Sequence, residues 1–281
     1  MNVFSKKILL TSLATALAGS AQIASATSSA QATIDWDNLT ITYIDLSGGT
    51  NTPLFTWTSQ DSNSSSSATS ADPYDSTSHT KHAYDFTSNL DTTSSTYSAQ
   101  SNSKNSAGLA ASVASQDSSS VHTSGFNIAS ASASNSGNFT LTGNGLALIT
   151  LGWSISGHAD PSTTGYYVWN NYASSGINIS GSYSINGSNT TTSSNSYDTA
   201  SVDYYYGIRP DYNRDGVFRM AILGDGVNTA YGSLLANVSA NSYSNVNYSA
   251  PIPTPVPAAV WMFGSGLLGL IGFARRQTKE A

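Results

Sequence analysis

"NFTLTGNGLALITLGWSISG", residues 138 to 157, decides the fold class of this chain. Apolar and polar residues alternate from Asn138 to Thr142, which is the period of a strand with one face buried. Gly143-Asn144-Gly145 then makes a turn. From Leu146 to Ser156 the alternation resumes, with Ala147, Ile149, Leu151, Trp153 and Ile155 on one face. Leu146 and Leu148 sit on the other, so the start of this second strand is expected to be covered on both sides. Neither half has the 3.6-residue period of a helix.

Working outward, the same pattern recurs. "GINISGSYSING" (176–187) places Ile177, Ile179, Tyr183 and Ile185 on one face and Asn178, Ser180, Ser182 and Ser184 on the other. "IDWDNLTITYIDL" (34–46) reads as one half-buried strand, with Leu39, Ile41 and Tyr43 inward. "GVFRMAIL" (216–223) is apolar on both faces apart from Arg219, which predicts a central strand. Ala129, Ala131 and Ala133 align in a strand over about 125 to 135. Short strands punctuated by Gly, Asn and Asp, with no amphipathic helix between residues 33 and 250, predict an all-β fold: an antiparallel β-sandwich or jelly-roll-like body.

One stretch resists this reading. Residues 58 to 124 are dominated by Ser, Thr, Ala, Asn and Asp, as in "SQDSNSSSSATSADPYDSTS". Too little apolar surface is present to offset the entropy of ordering, so residues 58 to 82 are expected to be disordered or a large loop. The expected organisation is a leader over 1–26, first strands over 27–57, the low-complexity segment over 58–124, the main body over 125–249, a spacer over 250–257 and an apolar tail over 258–281.

Composition narrows function by exclusion. The chain has 281 residues, no Cys, ten Lys and Arg against sixteen Asp and Glu, and a net charge of −6. Without Cys there is no thiol catalysis, no thiolate metal site and no disulfide chemistry. Between residues 27 and 257 only five basic residues stand against fifteen acids, all of them Asp. That balance argues against nucleic-acid partners and anionic lipid. Asp without Glu also suits turns and caps rather than helices.

Both ends read as addresses. "MNVFSKKILLTSLATALAGSAQIASA" carries Lys6 and Lys7, an apolar run from Ile8 to about Ala18, and the small-residue pattern Ala24-Ser25-Ala26, with Ala30-Gln31-Ala32 as a second candidate. This is the pattern of a secretory leader, handled by Sec-type export machinery and a signal peptidase. At the other end, prolines at 251, 253, 255 and 257 make a stiff extended spacer. Ala258 to Ala274 is a run of uncharged residues, roughly 25 Å long as a helix, with Trp261 at its outer end and Arg275-Arg276 at its inner one. That arrangement predicts a single transmembrane helix with the body outside.

The tail closely resembles the PEP-CTERM sorting signal of Gram-negative, exopolysaccharide-producing bacteria. The match runs over about 25 residues: the proline motif Pro255-Val256-Pro257, a Gly-rich apolar helix that includes Trp261, Gly264 and Gly266, and the cluster Arg275-Arg276. The family's central Glu is replaced by Val256. The resemblance implies that the inner membrane holds the precursor transiently, and that an exosortase-type membrane peptidase cuts near the prolines. The body would then reach the cell surface or the extracellular matrix. This chain would be the substrate of that enzyme.

Candidate chemistry in the body is sparse. "DYNRDG" (211–216) matches the first half of a calcium loop through Asp211, Asn213 and Asp215, with Asp225 available to complete a Ca²⁺ site. The same residues equally suit a hairpin turn at Asp215-Gly216. No other cofactor is expected. His79 and His82 have i, i+3 spacing within the Ser-rich stretch and read as solvated histidines. "GWSISG" is one residue away from a nucleophile-elbow pattern but reads as plain strand. Aromatics beside Asn and Asp, namely Tyr166, Tyr167, Trp169, Tyr204, Tyr205 and Tyr206, suit either glycan contact or cross-strand packing. Two functional readings follow: a non-enzymatic matrix protein associated with extracellular polysaccharide, or a secreted carbohydrate-binding module. A secreted hydrolase ranks behind both.

Overall fold

The structure, a computed structural model, describes residues 28–71, 74–105, 108–116, 118–120, 125–160, 171–186, 190–203 and 211–248. Those residues form two seven-stranded sheets packed face to face, antiparallel throughout except for one short pairing. Among them, the only helical turn is a single one at Trp36–Asn38.

The first sheet contains β1 (Ser28–Ile34), β2 (Thr40–Asp45), β5 (Thr92–Ser95), β6 (Ala99–Lys104), β7 (Leu109–Ser115), β10 (Asn144–Ala159) and β13 (Tyr212–Asp225). Its order is β13-β10-β1-β7-β6-β5, with β2 also against β10. The second contains β3 (Leu54–Ala71), β4 (Tyr74–Ala83), β8 (Ser118–Ser120), β9 (Gly125–Thr142), β11 (Tyr172–Ile185), β12 (Thr191–Asp203) and β14 (Ala230–Tyr248). Its order is β12-β11-β14-β9-β3-β4, with β8 running parallel to the end of β14.

The quoted stretch contributes to both layers. Its two halves are the end of β9 and all but the last two residues of β10, and they lie in different sheets. The turn between them is therefore a corner where the chain crosses the core. Gly143 makes the corner with φ of +88°, and a Cβ there would lie 2.2 Å from the Thr52 carbonyl oxygen, so only glycine fits. Phe139 and Leu141 enter the core from one side, and Ile149, Leu151 and Ile155 from the other, all essentially inaccessible. Each such side chain contributes about 1.5–3 kcal/mol on burial. Phe218, Met220 and Ile222 of β13 and Leu234, Ala236 and Val238 of β14 complete this apolar half. At its margin, Trp36, Phe55, Trp57, Phe86 and Phe139 pack ring against ring, with Phe55 and Phe139 stacked at 4.8 Å and Trp36 edge-on to Phe86 at 5.1 Å.

The other half of the interior is made of hydroxyls. β3 turns Ser62, Ser64, Ser66, Ala68 and Ser70 inward, against Thr92 and Ser94 of β5 and Ser101 and Ser103 of β6. Ser64 Oγ meets Ser103 Oγ at 2.7 Å, and Ser66 Oγ meets Ser94 Oγ at 3.1 Å. Nearer the middle, Ser28, Ser115 and Ser244 form a closed trio with Oγ separations of 2.8 to 3.0 Å. The Ser64–Ser103, Ser66–Ser94, Ser28–Ser244 and Ser115–Ser244 pairs join strands of opposite sheets, which small side chains allow to approach closely, while Ser70 Oγ and Ser101 Oγ are buried without a partner. A buried polar group costs stability unless it finds such a partner.

Three expectations are corrected here. Residues 58 to 82 are not a loop or disordered. Most of them lie in β3 and β4, because inter-sheet hydroxyl pairing replaces the apolar burial that the segment lacks. "GVFRMAIL" is not a central strand: β13 is the outermost strand of its sheet, with Phe218, Met220 and Ile222 inward and Val217 and Leu223 outward and 47% and 41% exposed. Residues 34 to 46 are not one strand either. β1 ends at Ile34, the chain loops out through Trp36–Asn38, and β2 rejoins the same neighbour, β10. The segments 27–57, 58–124 and 125–249 each contribute strands to both sheets.

Candidate functional site

The outer face of the first sheet carries a groove of about 440 Å³. Its floor follows from strand register. Asn213 of β13, Ser156 of β10, Gln31 of β1, Ser112 of β7, Asn102 of β6 and Thr93 of β5 are successive cross-strand neighbours. They form one row of polar side chains perpendicular to six strands, because residues of the same parity on paired strands share a face. A second row runs beside it through His158, Ser29, Ala114 and Gln100.

At one end, His158 is held between two carboxylates. Its Nδ1 lies 2.8 Å from Asp211 Oδ1 and its Nε2 lies 3.1 Å from Asp160 Oδ1. Partial burial pushes the imidazole pKa down, but hydrogen bonds and coulombic attraction from Asp211 and Asp160 outweigh it, so the net direction is up from 6.5. The arrangement favours the imidazolium form and fixes the ring's orientation, with carboxylate oxygens beside it at the rim. Tyr212, also at this end, pairs its hydroxyl with Ser175 Oγ at 2.9 Å. Burial raises its pKa, so it remains a neutral phenol at ordinary pH. Its ring occupies the space a side chain at Gly157 would need, with ring atoms 2.4 Å from where a Cβ would stand.

In the middle of the groove the polar groups are unused. Asn102 Oδ1 is buried and has no hydrogen-bond partner. Among the described residues, Gln31 and Gln100 make no side-chain hydrogen bond to the protein either. The lining therefore offers amide donors, amide acceptors and hydroxyls in a fixed two-dimensional pattern. A smaller depression of about 350 Å³ on the outer face of the second sheet is lined by Tyr183, Tyr231, Asn138 and several serines.

The residues predicted from sequence are distributed differently. Asp211, Asn213 and Asp215 do not form a loop. They lie at and within an extended strand, where alternate residues stand some 7 Å apart rather than converging. Asp215-Gly216 is not a turn either: Asp215 and Gly216 pair with Ser154 and Trp153 across the ladder. Asp225 lies ten residues further along the strand, roughly 30 Å away, where it accepts from the backbone N–H groups of Val227 and Asn228. No cluster of three or more His, Cys, Asp or Glu able to hold a metal ion occurs among the described residues. His79 and His82 fall on β4, where i and i+3 point to opposite faces, and His82 pairs with Asp61 at 2.8 Å.

Tyr166, Tyr167, Trp169, Tyr204, Tyr205 and Tyr206 lie outside the described residues. So do Ala24 and Ala26 of the leader, and Pro255, Val256, Pro257, Trp261, Gly264, Gly266, Arg275 and Arg276 of the tail. No helix among the described residues is long and apolar enough to cross a membrane. Gln31, Gln100, Asn102 and His158 were not singled out from sequence. They sit on three different strands, β1, β6 and β10, and only register brings them together. No protein-family model, curated protein or solved structure matches this chain.

Proposed function

We propose that this chain is an exported, non-enzymatic surface or matrix protein, held in the inner membrane as a precursor by its tail and released outward by an exosortase-type peptidase. Its final setting is the extracellular polysaccharide of its host. The observation that supports this reading is the order of segments. Among the described residues the paired strands run from Ser28 to Tyr248, between the leader-like stretch and the proline repeat of the sequence. The sandwich body thus has an address on either side and owes no strand among the described elements to either one. A body rich in Ser, Thr and Asn, strongly acidic and free of Cys, suits life outside the cell without dependence on redox conditions.

Mass spectrometry of the protein recovered from its native host tests this. The expected carboxy terminus lies at or near Pro255-Val256-Pro257 in cells with the peptidase and at Ala281 in cells lacking it. A chain intact to Ala281 in both backgrounds would refute the reading.

A further inference from the structure

We propose that the groove on the outer face of the first sheet binds a single chain of neutral polysaccharide, laid across the strands from β13 toward β6. This rests on the reading of the body as an exported matrix protein and adds a site and a ligand class to it.

The geometry matches an extended glycan. Neighbouring strands lie about 4.8 Å apart, so equivalent side chains on alternate strands stand about 10 Å apart. That distance is comparable to the length of an extended disaccharide. A chain lying along the row from Ser156 to Asn102 therefore meets a similar polar group at each repeat. The groove volume of about 440 Å³ falls in the range of small-ligand sites and suits a few sugar units at a time.

The hydrogen-bonding inventory points the same way. Asn102 Oδ1 has no donor within the protein and is covered from solvent, so a ligand reaches it only when the side-chain amide turns outward, a turn that an uncompensated buried acceptor favours. Gln31 and Gln100 each add two donors and an acceptor that the protein leaves unused. Sugar hydroxyls both donate and accept, so one ligand class satisfies all three side chains. Charge then selects among glycans. Among the described residues, the charged groups at the groove are His158, Asp160 and Asp211, which sum to a net negative charge even with the imidazole protonated. The body around them is acidic, so a uronic or sulfated chain is repelled and an uncharged one is not. Among the described lining residues the aromatic rings are Tyr212 and His158, both already engaged within the protein, so hydrogen bonds from the amides and hydroxyls carry the binding proposed here.

The test is affinity electrophoresis of the full chain in a detergent without a sugar headgroup. The gels contain hydroxyethylcellulose, mixed-linkage β-glucan, galactomannan or, as the anionic case, alginate. The double variant Gln31→Ala/Asn102→Ala removes no hydrogen bond within the protein, and its melting temperature checks that it folds. Tyr231→Ala probes the depression on the other sheet. The expected result is retardation by at least one neutral polysaccharide, with a dissociation constant about tenfold weaker in the double variant and unchanged in Tyr231→Ala. The proposal is overturned by no retardation in any neutral gel, by retardation in alginate alone, by undiminished binding of a folded double variant, or by loss of binding in Tyr231→Ala. A failure here leaves the carboxy-terminal cleavage result untouched, so the two readings fall separately.

Discussion

Ser64 shows how this protein uses serine. Its hydroxyl sits between the sheets, 2.7 Å from Ser103 Oγ, which in turn donates to the Ser132 carbonyl at 2.6 Å. Ser64→Ala removes one of a buried pair and is expected to cost about 1 kcal/mol. Ser64→Val is expected to cost more, about 1–3 kcal/mol, because the sheets at this end are spaced for small side chains. Urea titration of both variants checks the order; a valine variant more stable than the alanine one would contradict the small-residue spacing. The aspartates tell a second residue-scale story. Asp45, Asp85 and Asp225 each accept from backbone N–H groups two to four residues ahead. This is the turn chemistry for which Asp is favoured over Glu. At Asp85 the Ser88 hydroxyl, with further bonds from Ser88 and Thr87, holds the pKa at about 2. Being depressed in the folded state, it contributes stability above 3.8 that is lost as pH falls through about 2. A shallower acid limb in the melting curve of Asp85→Ala would show it. His158 has the opposite sign. Its pKa is raised, so its contribution is complete below 6.5 and lost as pH rises through the higher folded value. Melting temperature followed from pH 6 to 9 should decline, and the slope should flatten in His158→Gln.

At the scale of elements, β1 makes the sharpest statement. It lies between β10 and β7, paired along all seven residues on both sides. Ala30 and Ala32 face the core, and Ser28 belongs to the buried hydroxyl trio. Of the two small-residue patterns in the leader region, removal after Ala26 leaves β1 whole, whereas removal after Ala32 deletes five of its seven residues. The exported protein is therefore expected to begin at Thr27, which amino-terminal sequencing would reveal; a start at Thr33 would contradict this strand assignment. Elements also explain what could be read beforehand. β9, β10 and β11 were legible because Leu, Ile and Phe alternate with Ser, Thr and Asn, and inside differs chemically from outside. In β3 it does not. Ser62, Ser64 and Ser66 point in while Asn63, Ser65 and Ser67 point out, so a period of two leaves no trace in hydropathy. The partners that make the inner serines tolerable lie 23 to 73 residues away, beyond the reach of a local pattern. The groove was illegible for a related reason: its amides are separated along the chain and gathered only by register.

For the whole molecule, the interior is graded from apolar side chains around β9, β10, β13 and β14 to hydroxyls between β3, β5 and β6. Hydrophobic burial is concentrated at the first end, so local opening should be easiest at the other. Hydrogen exchange is expected to be slowest for residues 146–151 of β10 and markedly faster across β5 and β6. Equal protection in both regions would mean that hydroxyl pairing matches apolar burial in this fold.

The chain changes sheets seven times between β1 and β14, and the last strand lies inside its sheet, between β11 and β9, rather than at an edge. A protein threaded across a membrane amino end first cannot close such a sheet until nearly its whole body has emerged. Residues 230 to 248 are the keystone, and they arrive last, when only the proline spacer and the apolar tail still follow. Under the proposed export route, translocation would deliver an open half-built layer, and maturation of the fold and arrival of the apolar tail at the bilayer would be events of the same moment.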